Sequence, residues 1–175
     1  MNKNYSKKEL HLVIIWEKGR CKEREIVKSI SEEFEFVEKY KVNWNKNLFG
    51  KNLTTFYGTN LPPKSDKEKH CGNGEFLLII FYDNDPKYSY VKTSRGEERV
   101  NVNVYSCKEK FRDLTGGGHK IHSTNSPLET NHDLTLLLGV NYNDYELLLK
   151  KNFNPNKKNE NIIKNVPENI IGVNG

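Results

Sequence analysis

The chain has 175 residues, 28 Lys and Arg against 23 Asp and Glu, a net charge of +5, and a mean hydropathy of −0.81. The length suits a single domain with a real core. The charge is too small, and too evenly interleaved with acids, for a dedicated nucleic-acid binder; no apolar run reaches the roughly 18 residues of a membrane span, so no membrane partner is expected.

Cys21, Cys71 and Cys107 are far apart and odd in number, which argues against a disulfide framework and for a reducing compartment. The first apolar run is too short for the core of a secretion signal. The expectation is a cytoplasmic protein.

Leu10-His11-Leu12-Val13-Ile14-Ile15-Trp16 is a nearly continuous apolar run and predicts a buried central strand. Over residues 21–36, Ile26, Ile30 and Phe34 repeat at helical spacing with charges between them. Residues 36–44 alternate like a second strand, and residues 47–57 suit a helix carrying Leu48, Phe49, Leu53 and Phe56. A charged loop over 64–73, holding His70-Cys71, leads to Phe76-Leu77-Leu78-Ile79-Ile80-Phe81-Tyr82, the clearest buried strand.

Residues 88–93 and 99–105 alternate on either side of Ser94-Arg95-Gly96-Glu97-Glu98, predicting a half-exposed β-hairpin. Ser106 caps a short helix through Leu114, and a helix over 129–138 ends at Gly139. A turn of helix is expected at 144–149. The element order is strand–helix–strand, helix, strand, hairpin, helix, strand, helix. It predicts a ferredoxin-like α+β domain over residues 8–150, an antiparallel sheet with helices on one face and an added hairpin, followed by an Asn/Lys-rich tail over 151–175.

The chemistry concentrates at Gly116-Gly117-Gly118-His119-Lys120-Ile121-His122-Ser123-Thr124-Asn125-Ser126-Pro127. Consecutive glycines adopt positive φ and bring backbone amides close to a ligand. Small polar residues after His122 cap a helix whose positive end faces back toward the imidazole. A neutral imidazole attacks phosphorus if a carboxylate orients its second nitrogen and cations neutralise the transferring oxygens. Asp133, eleven residues on, is the candidate orienting group. Arg112, Arg95, Lys108 and Lys110 are candidate phosphate partners, with the amides of Gly117 and Gly118.

Other readings stay open on the residues alone. His119, His122 and His132 could ligate a metal, alone or with Asp133 or the His70-Cys71 pair, and a metal-dependent phosphoesterase would use His119 and His122. Cys71 could be a nucleophile. A non-catalytic domain could keep the same fold to bind a nucleotide or a protein.

The order of elements and the segment 117–126 resemble the nucleoside diphosphate kinases. His122 falls on that family's phosphorylated histidine, Thr124 on the serine two residues later, Asp133 on the orienting glutamate and Arg112 on a phosphate-binding arginine. Tyr57 falls in the family's His-Tyr segment and His119 on the asparagine before the nucleophile. The longer stretch between arginine helix and histidine is three glycines here, and the hairpin is an addition. The resemblance implies Mg²⁺-dependent phosphoryl transfer to a nucleotide or phosphorylated small molecule through a phosphohistidine, with Mg²⁺ bound alongside the nucleotide. It implies a pocket shaped by Tyr57, His119 and Thr124, and assembly into a homo-oligomer.

Overall fold

The computed structural model describes residues 7–58, 61 and 66–152, and the backbone of 163–166. Strand β1 (Glu9–Ile15) leads through a 3₁₀ turn over Glu17–Lys22 into α1 (Glu23–Glu33) and strand β2 (Glu35–Val42). Helices α2 (Phe49–Tyr57) and α3 (Lys67–Cys71) precede β3 (Phe76–Asp83). The hairpin β4 (Tyr88–Thr93) and β5 (Gly96–Asn101) runs into α4 (Val102–Leu114). Strand β6 (Ile121–Ser123), α5 (Pro127–Leu138), α6 (Tyr142–Lys151) and β7 (Ile163–Val166) follow.

Five strands form one sheet in the order β6-β1-β3-β2-β7. β1 lies antiparallel to both β3 and β6, and β2 antiparallel to β3. With α1 and α4 as crossover helices this is the ferredoxin-like arrangement. β7 pairs parallel to β2, from Lys39 opposite Ile163 to Val42 opposite Val166. The hairpin is a separate two-stranded ribbon.

The two apolar runs are central because both of their faces are covered. Leu10, Leu12 and Ile14 of β1 pack with Phe49, Leu53, Phe56, Leu134, Leu137 and Tyr145 from α2, α5 and α6. Val13 and Ile15 face the other way, onto Ile26 and Ile30 of α1 and Val104 and Phe111 of α4. The expected single helical face is therefore the α1–α4 face, and a second helical layer covers the opposite one. Every residue of β3 is buried, which a sheet open on one side does not permit.

Three local expectations are corrected. Residues 102–105 are helical and not strand, because the Asn101 side chain accepts from the N–H groups of Asn103 and Val104 at 3.0 and 3.3 Å and caps α4 there. Part of the expected 64–73 loop is α3, pinned by the fully buried Cys71. The turn expected at 144–149 is the longer α6, capped by Asn141 through the N–H of Asp144. Most of the 151–175 tail lies outside the described residues. Among the described residues, no helix is long and apolar enough to cross a membrane.

Candidate active site

Short β6 sits at the sheet edge, paired among the described residues only with β1, with His122 opposite Ile14. Neighbouring Ile121 joins the α1–α4 core, so alternation turns His122 toward α2 and α5. Its ring stands edge-on to Phe56 at 5.1 Å between centroids and to Tyr57 at 5.4 Å. Residue 122 is 9 % exposed.

Helix α5 begins where the sequence places its signals. Ser126 Oγ accepts from the N–H of Glu129, Glu129 Oε2 accepts from the N–H of Asn125, and Pro127 occupies the first helical turn. The start at Pro127 puts Asp133 roughly two turns into the helix, one fewer than its separation from His122 suggests. Asp133 is 2 % exposed. Its Oδ2 lies 2.7 Å from His122 Nε2 and its Oδ1 2.9 Å from His132 Nδ1.

Burial alone would raise the Asp133 carboxyl, but the charge and hydrogen bond of His122 and the bond from His132 outweigh it and hold the group below its usual range. The Asp133 hydrogen bond in turn raises the imidazole of His132. An ionised carboxylate only accepts. His122 Nε2 therefore carries a hydrogen, and in the neutral ring the lone pair is on Nδ1. That nitrogen makes no hydrogen bond among the described residues and is not among the sealed, unpartnered polar atoms.

The remaining expected residues have distinct surroundings. Arg112, on α4, donates from Nε to the carbonyl of Ile121 at 3.4 Å and pairs with half-exposed Glu109 at 3.3 Å. The His119 ring stacks on His70 at 6.1 Å; partial burial, with Lys67, Arg112 and His70 adding to it, lowers its pKa. Burial raises the Tyr57 phenol well above its ordinary range. Arg95 is at the hairpin tip, and its charge reaches Lys67. Lys110 is committed to α1, pairing with Glu33 at 2.9 Å.

Gly116, Gly117 and Gly118 all have positive φ, near +80°. The amides of Gly116 and Gly117 are spent on Asp113 and Arg112 carbonyls, where they terminate α4; only the Gly118 amide is without such a bond among the described residues. Thr124 is fully buried, and its Oγ1 bonds His11 Nδ1 at 2.9 Å and the Leu12 N–H at 3.2 Å. It belongs to a buried polar network in which Asn101 bridges His11 and Asp83.

His119, His122 and His132 do not converge as a ligand set among the described residues; the group that does is His122, Glu129 and Asp133. The 2.7 Å separation of His122 Nε2 and Asp133 Oδ2 is a hydrogen-bond length that leaves no space for an ion between them. Glu129 Oε1 lies 4.0 Å from His122 Nε2. Sequence reasoning gave Glu129 no role, although Ser126-x-x-Glu129 is a capping-box signal. Lys67, whose Nζ lies 3.3 Å over the Tyr57 ring, gave no signal at all.

The sequence matches no protein-family model and no curated protein. Solved structures resemble the fold. Nucleoside diphosphate kinase from Encephalitozoon cuniculi aligns with a TM-score of 0.50 at 15 % identity, covering 80 % of this chain and 99 % of that one. The Aquifex aeolicus enzyme aligns at 0.46 and 12 % identity, covering 73 % and 93 %. The chain thus has a nucleoside diphosphate kinase-like fold.

Proposed function

We propose that the protein is a nucleotide phosphotransferase working through a phosphohistidine at His122. The observation that carries this reading is the buried His122–Asp133 pair, 2.7 Å apart, with Nδ1 left as the ring nitrogen that makes no hydrogen bond among the described residues. A fold like that of the nucleoside diphosphate kinases supports it.

In the forward step the Nδ1 lone pair attacks the γ-phosphorus of a nucleoside triphosphate. The bond from phosphorus to the bridging oxygen breaks, and the electron pair leaves on the nucleoside diphosphate. The hydrogen stays on Nε2 and keeps its hydrogen bond to Asp133, whose negative charge offsets the positive charge gained by the ring. In the return step an acceptor phosphate oxygen attacks the phosphorus, the P–N bond breaks, and the imidazole recovers its lone pair. Arg112 is free to turn to phosphate, because its partner Glu109 is half exposed and such pairs contribute at most about 1 kcal/mol.

Magnesium fits as a companion of the nucleotide more than as a resident ion. Both Asp133 oxygens are engaged, which leaves the Glu129 carboxylate, one-third exposed, as the group able to approach it. When bound, Mg²⁺ offsets charge on the polyphosphate oxygens.

The test is incubation with γ-labelled ATP and Mg²⁺, followed by assay for acid-labile, base-stable label on the protein. Label on the wild type and none on His122→Ala is expected. Absence of label from every nucleoside triphosphate sinks the proposal.

A further inference from the structure

Two cations on α3 and α4, Lys67 and Lys108, lack a carboxylate counter-charge among the described residues. Lys108 is 8 % exposed, yet it makes no ion pair or hydrogen bond among the described residues. Its nearest described partner is the Tyr105 ring, 4.2 Å from Nζ. Arg112 follows one helical turn later on the same face of α4, a like-charge spacing that is itself unfavourable. Lys67, half-buried on α3, has no carboxylate partner among the described residues either, only the Tyr57 ring.

These groups feel one another. Burial is the chief cause that brings Lys67 down to about 8, and Arg112, Arg95 and Lys108 push the same way while Cys71 opposes. Lys108 is lowered by burial and then by Arg112, against weaker pulls from Glu109, Glu129 and Glu98. Contacts with two tyrosine rings offset only part of the cost of withdrawing these ammonium groups from water. Helices α3 and α4 thus carry an electrostatic cost that a polyanion would relieve. The glycine loop cannot be the main phosphate cradle, since two of its three amides already close α4.

We propose that Lys67 and Lys108, with Arg112, form a polyphosphate clamp that holds the ligand against His122. The clamp rests on the phosphotransferase reading for its position beside the nucleophile, and the ligand class it selects is a chain of at least two phosphates. Lys67 Nζ lies over the Tyr57 ring, and that ring stands edge-on to the His122 imidazole. Arg112 already holds the Ile121 carbonyl of β6, next to His122, and Lys108, one turn earlier on α4, feels the charge of Glu129, whose carboxylate lies 4.0 Å from the imidazole. Recognition is through charge, so inorganic tripolyphosphate suffices as a ligand.

The experiment titrates the full chain carrying His122→Asn, which cannot be phosphorylated, with inorganic tripolyphosphate by calorimetry. Lys67→Gln and Lys108→Gln are each expected to weaken binding about tenfold or more. Lys110→Gln, on the same helix but paired with Glu33, leaves binding within about twofold of the parent. Thermal melting of the same variants guards the interpretation: loss of an unpaired buried charge leaves the melting temperature unchanged or raises it, whereas loss of a structural lysine lowers it. Unchanged affinity in both lysine variants, or no binding by the parent, overturns the clamp. Labelling of the wild type by γ-labelled ATP separates the two ideas. Label that is indifferent to both lysines removes the clamp and keeps the phosphohistidine. Lysine-dependent binding without label keeps the clamp and removes the phosphohistidine.

Discussion

Asp133→Asn changes the site by one charge and almost no volume. The asparagine carbonyl can still accept from His122 Nε2, and its amide group can donate to a neutral His132 Nδ1, so the geometry of two bonds at 2.7 and 2.9 Å survives. What is lost is the anion that offsets positive charge on His122 during phosphorylation. Hydrogen bonds to charged groups contribute about 1.5–3 kcal/mol, which corresponds to roughly 10- to 150-fold in rate if the loss falls wholly on the transition state.

Rapid-quench labelling with γ-labelled ATP reads this directly. Proton titration by NMR supplies a second signal, because the hydrogen bond that His132 donates to Asp133 is the main cause that raises its pKa. The variant should label slowly while the His132 titration moves back down. Labelling within about twofold of wild type, in a folded variant whose His132 has shifted, would refute the claim that this carboxylate acts in the chemistry.

Three further outcomes follow from the geometry. His132 has its pKa raised by folding, so its contribution to stability is present below the ordinary histidine range and is lost as pH rises through the raised value. The melting-temperature gap between wild type and His132→Gln should shrink from pH 6 to pH 8.5, and it should be small, because the side chain is half exposed. A gap that widens would contradict the assignment. Thr124→Val should cost about 1–3 kcal/mol in chemical denaturation, since His11 Nδ1 and the Leu12 N–H lose their shared partner in a buried site; the residue 124 N–H keeps its bond to the Leu12 carbonyl, so phosphorylation per folded molecule should persist, and its loss would show that the backbone bonds alone do not hold the β6 register. Gly117→Ala should cost about 1–2 kcal/mol through its positive φ alone, since an added Cβ meets nothing within 4 Å; no change in stability would show that the turn adapts.

The histidine–carboxylate pair was legible because its spacing is local: a strand end, a serine cap and two helical turns lie between the partners. The sheet's core was legible for a different reason. β1 and β3 are covered on both faces, so they read as continuous apolar runs. The helical face that the sequence did not reveal is that of α2, α5 and α6, since an amphipathic pattern shows that a helix has an apolar side but not which side of the sheet receives it. Lys67 was invisible because α3 is a single short turn among charged residues, with no periodicity to mark it. Valines 102 and 104 suggested a strand by alternation until the Asn101 side chain took the first amides of α4.

Why His122 faces Asp133 at all is a question of register. Strand β6 has three residues, and a slip of one would turn His122 into the α1–α4 core and present Ile121 to the carboxylate. Both ends of the strand are fixed against that slip. The Trp16 N–H bonds the Lys120 carbonyl at 3.0 Å on one side, and the Thr124 N–H bonds the Leu12 carbonyl at 3.2 Å on the other. The Thr124 hydroxyl adds its bond to the Leu12 N–H. The three glycines let the chain leave α4 and enter this register within a few residues, using positive φ where a side chain would resist. The glycines and Thr124 therefore act on the nucleophile without touching it: they determine which side of β6 the imidazole occupies, and Asp133 determines which nitrogen it offers.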